Sequence, residues 1–194
     1  VNGALESFSK LRSYLEKFDG VNRIDRLPVP ALKDQAGWHI FCVGNDEASG
    51  NPGAYFGDDD DCKEEEEEEG EQQETPVWKS QCPETGYTPT ASLLLQMDQV
   101  MVRRVIRHLT HYVESFGMSK QRGVWIYALL ARLERPIHRD DAVVLYSLLK
   151  RLTILREEQA TTNPLISTTN LLIAVIGIYF EQGGGYVNVI EAHE

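Results

Sequence analysis

Cysteine is scarce in this sequence and follows no pattern. Cys42, Cys62 and Cys82 are odd in number and lack any CxxC or metal-type spacing. A disulfide framework is therefore not expected, and a reducing compartment is the better reading. Long apolar runs are missing too. The longest, Leu171 to Phe180, is ten residues, against the roughly eighteen that suggest a membrane span. No signal-peptide pattern opens the chain. It begins on Val1, which leaves a longer parent protein open. Catalytic patterns are also lacking: no serine elbow, no Walker motif, no paired-carboxylate constellation. Gly183-Gly184-Gly185 follows a helical pattern rather than preceding one, so it is a stop and not a phosphate cradle. We expect neither an enzyme nor a cofactor.

The formal net charge of −11 belongs to one stretch. Residues 58 to 74 hold twelve acids (Asp58 to Asp61, Glu64 to Glu69, Glu71 and Glu74) against Lys63 alone, which leaves eighteen acids and eighteen bases elsewhere. The rest of the chain is near neutral, so a surface that repels nucleic acid does not follow. Flanked by apolar segments, the acidic run reads as a solvating spacer more readily than as a nucleic-acid mimic.

What the sequence does contain is helical pattern. Its 194 residues are enough for one domain with a sizeable core. In Gly123 to Leu133, GVWIYALLARL, the residues Trp125, Ile126, Leu129, Leu130 and Leu133 mark one helix face, and Tyr127, Ala128 and Ala131 widen it. A helix apolar over most of its circumference must be wrapped by neighbours. Residues 1–20 give a first helix, with Leu5, Phe8, Leu11, Leu15 and Phe18 as its stripe and Arg12 among the polar positions. Asp19-Gly20 stops it. Residues 21–44 read as an extended connection holding Pro28 and Pro30, then a short docked element built on Trp38, Ile40, Phe41 and Val43. Cys42 sits there as a small buried hydrophobe. Residues 45–83 read as a disordered acidic insertion.

Residues 84–182 form the helical core. Thr90 or Ser92 caps one long helix reaching Phe116, with Val102, Val105, Ile106, Leu109, Tyr112 and Val113 inward. Ser119 caps the central helix and Pro136 stops it. Asp140 opens another helix ending near Glu158, and Asn163-Pro164 opens the last, which runs to about Glu181. Residues 183–194 are a tail. The expected fold is all-α: a single domain over 1–194, an antiparallel array of about five to six helices, with no regular repeat.

Polar candidates are weak. His108, His111 and Glu114 are spaced by three, whereas helical metal pairs favour i, i+4, so we expect rim polarity and no metal. His138 sits in a turn before Arg139 and Asp140 and suits capping. Arg103, Arg104 and Arg107 share the outer side of their helix. They could meet RNA phosphates, and an RNA-binding helical module is the alternative function. Without interleaved aromatics, an acidic partner helix suits them better.

Three ordered stretches carry a family resemblance. Gly123 through Pro136, GVWIYALLARLERP, resembles a WLYALLACLEKP signature. Gly37 to Gly44, GWHIFCVG, resembles GWKKFCLG, and Asn170 to Gln182 resembles NLLI…RYFDQ. Phe8 to Arg12 fits a weaker FSxxR. These belong to the Gemin-two family, the survival of motor neuron (SMN) interacting proteins, and the likeness covers nearly all of the chain outside the acidic insertion.

The resemblance implies a non-enzymatic scaffold subunit of the SMN complex, which assembles Sm-protein rings on spliceosomal small nuclear RNAs. It implies the C-terminal helical domain of such a subunit, with the N-terminal arm that reaches round other Sm proteins lying upstream. Its partners would be the N-terminal, partly acidic helix of SMN and the D-type Sm subunits, with no membrane and no direct nucleic acid. It implies residence in cytoplasm and nucleus, including Gem-type bodies. Vertebrate members place Arg before the signature Trp, where this chain has Val124, so apolar packing replaces a salt bridge there. Trp125 reads as core. Arg103, Arg107, His111, Val124, Tyr127 and Tyr179 are the expected contacts for the SMN helix or the Sm proteins.

Overall fold

A computed structural model describes residues 2–20, 26–45, 76–159 and 162–183. All regular structure among them is helical. The acidic run, the 184–194 part of the tail and residues 21–25 lie outside the described residues.

Helix α1 (Asn2–Lys17) forms as its stripe requires, with Phe8 and Leu15 buried, and turns off through Gly20 at φ 76°. Arg12 departs from expectation. It is buried, because its guanidinium Nη1 donates to the carbonyls of Leu130 and Leu133 at 3.0 and 2.5 Å. Helix α2 (Gln35–Val43) is the expected docked element. Asp34 caps it, its carboxylate accepting from the Gly37 amide at 2.7 Å. Trp38, Phe41 and Cys42 are fully buried.

The two chain segments beside the insertion touch through glycines. Gly44 has φ 85° and Gly86 has φ 75°. A Cβ on Gly44 would lie 1.8 Å from the Glu84 carbonyl oxygen, and one on Gly86 would lie 2.7 Å from the backbone of Cys42. Only glycine allows both the conformation and this approach, and the Tyr87 amide then donates to the Phe41 carbonyl at 2.8 Å. Residues 76–83, assigned to the insertion from sequence, are ordered. They carry the one-turn helix α3 (Val77–Ser80), whose Trp78 is buried and whose carbonyl accepts from the Tyr87 hydroxyl at 3.1 Å. One large aromatic was enough to dock a segment otherwise poor in apolar residues.

The long helix expected from Thr90 to Phe116 is two. Thr90 does cap α4 (Ala91–Gln96), but Met97 is extended and buried, and Asp98 caps a fresh helix α5 (Gln99–Phe116) through the Met101 amide at 2.7 Å. A local Asp cap and a buried Met together outweigh helix propagation.

Ser119 caps α6 (Lys120–Arg132), the hub, and accepts from the Arg122 amide at 3.2 Å. Trp125, Ile126, Leu129 and Leu130 are wholly buried, each such side chain contributing about 1.5–3 kcal/mol. Helices α1, α2, α4, α5 and α8 all pack on α6. Helix α7 (Arg139–Glu158) lies beside α5. Arg103 pairs with Asp141 near the start of both helices, and Ser147 donates to Glu114 farther along both. The two helices therefore run in the same direction, as an α5–α6–α7 up-down-up order requires.

Helix α8 (Ile166–Ala174) starts two residues past Asn163-Pro164, with Asn163 accepting from the Leu165 amide. Its last turn, Val175–Tyr179, is a π-helix rather than the α-helix expected, closed by the Phe180 amide donating to the Val175 carbonyl. The wider turn sets Tyr179 and Phe180 against Phe8, at ring separations of 4.9 and 6.2 Å. The architecture is the expected all-α array with eight α-helices among the described residues. The count exceeds the expected five or six through α3 and the α4–α5 break.

Candidate partner-binding surfaces

Helix α6 is buried almost all round, yet one line of it reaches solvent. Lys120 and Val124 are exposed and Tyr127 is half-buried, a spacing of four and three residues that keeps them on one face. Val124 is 39% exposed, high for an aliphatic on the hub of a core. Tyr127 meets the Phe8 ring edge-on at 5.3 Å, and Tyr179 meets Phe8 from another side at 4.9 Å. Burial pushes the Tyr127 phenol above its usual range, so its hydroxyl is a donor at neutral pH. Arg135 lies over the Tyr179 ring at 5.2 Å and reaches Glu181 at 3.6 Å. The result is a strip with an aliphatic and two aromatics at its centre and a cation at each end, Lys120 and Arg135.

A second surface lies along α5 and the start of α7. Arg107 is exposed, and Arg103 Nε stands 3.1 Å from Asp141 Oδ2. The geometry makes that contact an ion pair rather than an aligned hydrogen bond. Arg103, Arg104 and Arg107 line a cavity of about 220 Å³ together with His138, Asp140 and Asp141, and Val100 borders it.

The six candidate residues therefore do not form one site. Val124, Tyr127 and Tyr179 gather around Phe8, whereas Arg103 and Arg107 face α7. His111 is half-buried with its ring 6.2 Å from that of Tyr112. The His108, His111, Glu114 series diverges: the His108 ring turns inward to the Leu32 carbonyl at 3.3 Å, and Glu114 accepts from Ser147. Among the described residues no three His, Cys, Asp or Glu side chains converge as a metal set.

Sequence reasoning missed three buried guanidiniums. Arg12 holds the C-terminal carbonyls of α6 and lies over the Tyr179 ring at 5.5 Å. Arg132 donates to Asp19 at 2.8 Å. Arg122 donates to the Gly117 carbonyl and to His39 Nε2, both at 3.2 Å. Nothing in local periodicity marks a residue that reaches across the fold. On α7, Val143, Tyr146 and Ile154 are exposed, while Leu145, Leu148 and Leu152 are wholly buried. No described helix is long and apolar enough to cross a membrane.

The chain is similar to Gem-associated protein 2 of Xenopus laevis, 27% identical over 180 residues, which cover 90% of this chain and 63% of that protein. It is 26% identical over 156 residues to Gem-associated protein 2 of Mus musculus, covering 79% of this chain and 51% of the relative. To that of Dictyostelium discoideum it is 31% identical over 101 residues, 52% of this chain and 30% of the relative. The chain thus spans less than two thirds of the length of each of these relatives. A family profile described as survival motor neuron (SMN) interacting protein 1 (SIP1) matches residues 2–183, nearly the whole chain. This chain belongs to the SMN-interacting protein 1 family.

Proposed function

We propose that this chain is a non-catalytic scaffold of an SMN complex, and that its Lys120–Val124–Tyr127 strip receives the N-terminal helix of SMN. The observation that carries the reading is Val124, an exposed aliphatic on a helix otherwise enclosed by the fold. An amphipathic helix laid along Val124, Tyr127 and Tyr179 has apolar anchors at its centre and cations, Lys120 and Arg135, at its two ends, which suits a partly acidic partner. Interfaces of this kind bury roughly 1,200–2,000 Å² in total, and the two tyrosines are the residue type that dominates such contacts.

On this reading residues 1–194 act as one helical domain, D-type Sm proteins are further partners, and the protein works in cytoplasm and nucleus during spliceosomal particle assembly. Arg103, Arg107 and His111 lie on the α5 side, away from the SMN strip. An RNA-binding role for that side is disfavoured, because Asp140 and Asp141 share its cavity with the arginines. Calorimetry of the full chain with a peptide of the SMN N-terminal helix is the test. We expect saturable binding that Val124→Glu weakens at least tenfold. Absence of heat at tens of micromolar peptide rejects the proposal.

A further inference from the structure

Glu181 stands where local chemistry argues against a glutamate. It has φ 58°, the one non-glycine residue with positive φ among the described residues. It follows Phe180 just past the π-turn, and its amide donates to the Ile178 carbonyl at 3.3 Å. Left-handed positions that close a helix are usually held by Gly or Asn, because a Cβ carries a steric cost there. An anion is also the wrong sign for a helix C-terminus, whose unpaired carbonyls favour cations. What the side chain does reach is Arg135, with Oε1 3.6 Å from Nη2. Glu181 and Arg135 are 79% and 44% exposed, so solvent screens the pair and holds it weakly. A residue that breaks two local rules for a weak contact is not there for the stability of the fold.

We propose that Glu181 is a built-in competitor at the Arg135 end of the strip, holding the guanidinium until an acidic residue of the partner helix takes its place. This rests on the reading that the strip receives the SMN helix. Arg135 lies over the Tyr179 ring at 5.2 Å, so any carboxylate that holds it sits beside the apolar centre of the strip. An incoming Asp or Glu exchanges one carboxylate for another on the same guanidinium. The displaced Glu181 is already mostly in water and swings out at little cost. A neutral partner residue gains nothing from Arg135 and leaves the internal pair in place. The exchange therefore makes this end of the strip selective for an acidic residue. It also keeps Arg135 from presenting an unpaired cation to other partners while the strip is empty.

The test is calorimetry of the full chain with the SMN N-terminal peptide and with a twin whose Asp and Glu are replaced by Asn and Gln. Glu181→Gln keeps the side-chain length and removes the competing charge. It should bind the acidic peptide about two- to fivefold tighter, the scale of an exposed ion pair, and the neutral twin no better than the parent does. The gain should fade at high salt. On an Arg135→Gln background it should vanish, because no cation is left to release. Glu181→Gly, which also relieves the backbone, should give the same gain. A gain in the glycine variant alone would assign the effect to the backbone and overturn the proposal. So would an equal gain for both peptides, or a gain that survives Arg135→Gln. If the parent binds the acidic peptide and Glu181→Gln binds it equally, the competitor role alone fails. If the parent binds neither peptide, the SMN reading and the competitor role fail together.

Discussion

Arg122 Nη2 lies 3.2 Å from His39 Nε2, and the His39 ring is stacked on Tyr112 at 3.7 Å with an interplanar angle of 7°. A guanidinium only donates, so Nε2 must present its lone pair and the imidazole must be neutral. This contact ties α2 to α6, while the stack ties α2 to α5. Burial, reinforced by the Arg122 charge, lowers the His39 pKa to about 3.

Acid sensitivity follows from that pair. In the unfolded chain His39 takes a proton below about pH 6.5, whereas folded His39 stays neutral down to about 3. Its contribution is complete above pH 6.5 and is lost as pH falls from there toward 3, at up to about 1.4 kcal/mol per pH unit. Urea midpoints at pH 7.5 and 5.0 should show the drop, and His39→Gln, which does not titrate, should show a smaller one. Equal drops in both proteins would assign the acid sensitivity to other groups.

Arg12 should behave as a structural residue despite its position among polar ones. Arg12→Met leaves the Leu130 and Leu133 carbonyls without their charged donor, at a cost of about 1.5–3 kcal/mol. For a protein of this size that lowers the melting temperature by roughly 5 °C. Arg12→Lys should recover only part of the loss, because a point cation cannot hold two carbonyls and cover two rings. A lysine variant melting like the parent would contradict this account.

Gly20, Gly44 and Gly86, three of the four described glycines with positive φ, differ in their surroundings, and the difference is measurable. Gly20 has φ 76° and no atom within 4 Å of a built Cβ, so Gly20→Ala should cost only the strain, about 1–2 kcal/mol. Gly44→Ala and Gly86→Ala add direct collision with backbone and should cost more than the Gly20 change. Chemical denaturation of the three variants ranks them. Equal losses at all three would mean that the crossing of residues 44 and 86 is loose.

Val124→Arg places a charge directly before Trp125, on the exposed line of α6. The site is 39% exposed, so stability should stay within about 0.5 kcal/mol. Binding of the partly acidic SMN peptide should tighten by about two- to fivefold, the value of an exposed ion pair, and the gain should shrink at high salt. A weaker complex, with the fold intact, would place the partner helix elsewhere.

The hub helix was readable because its apolar residues repeat within one segment. Trp125, Ile126, Leu129 and Leu130 declare burial by spacing alone, and the caps at Thr90 and Ser119 lie next to the turns they close. Asp98 was passed over although it caps equally well, because the apolar stripe on either side of it reads as continuous. The split of the six candidate contacts into two surfaces was not readable. Arg103 and Arg107 lie near Val124 in sequence but face α7, and only the packing of α5 against both α6 and α7 separates them.

The sequence by itself determined the all-helical class, the hub, most helix ends and the family, since each rests on interactions spanning a few residues or on ordered motifs. Tertiary structure alone decided which polar groups are inside. Arg12, Arg122 and His39 look like surface residues until partners 83 to 121 positions away supply their bonds. Burial of a charge depends on what it meets, and that is fixed only when the helices have packed.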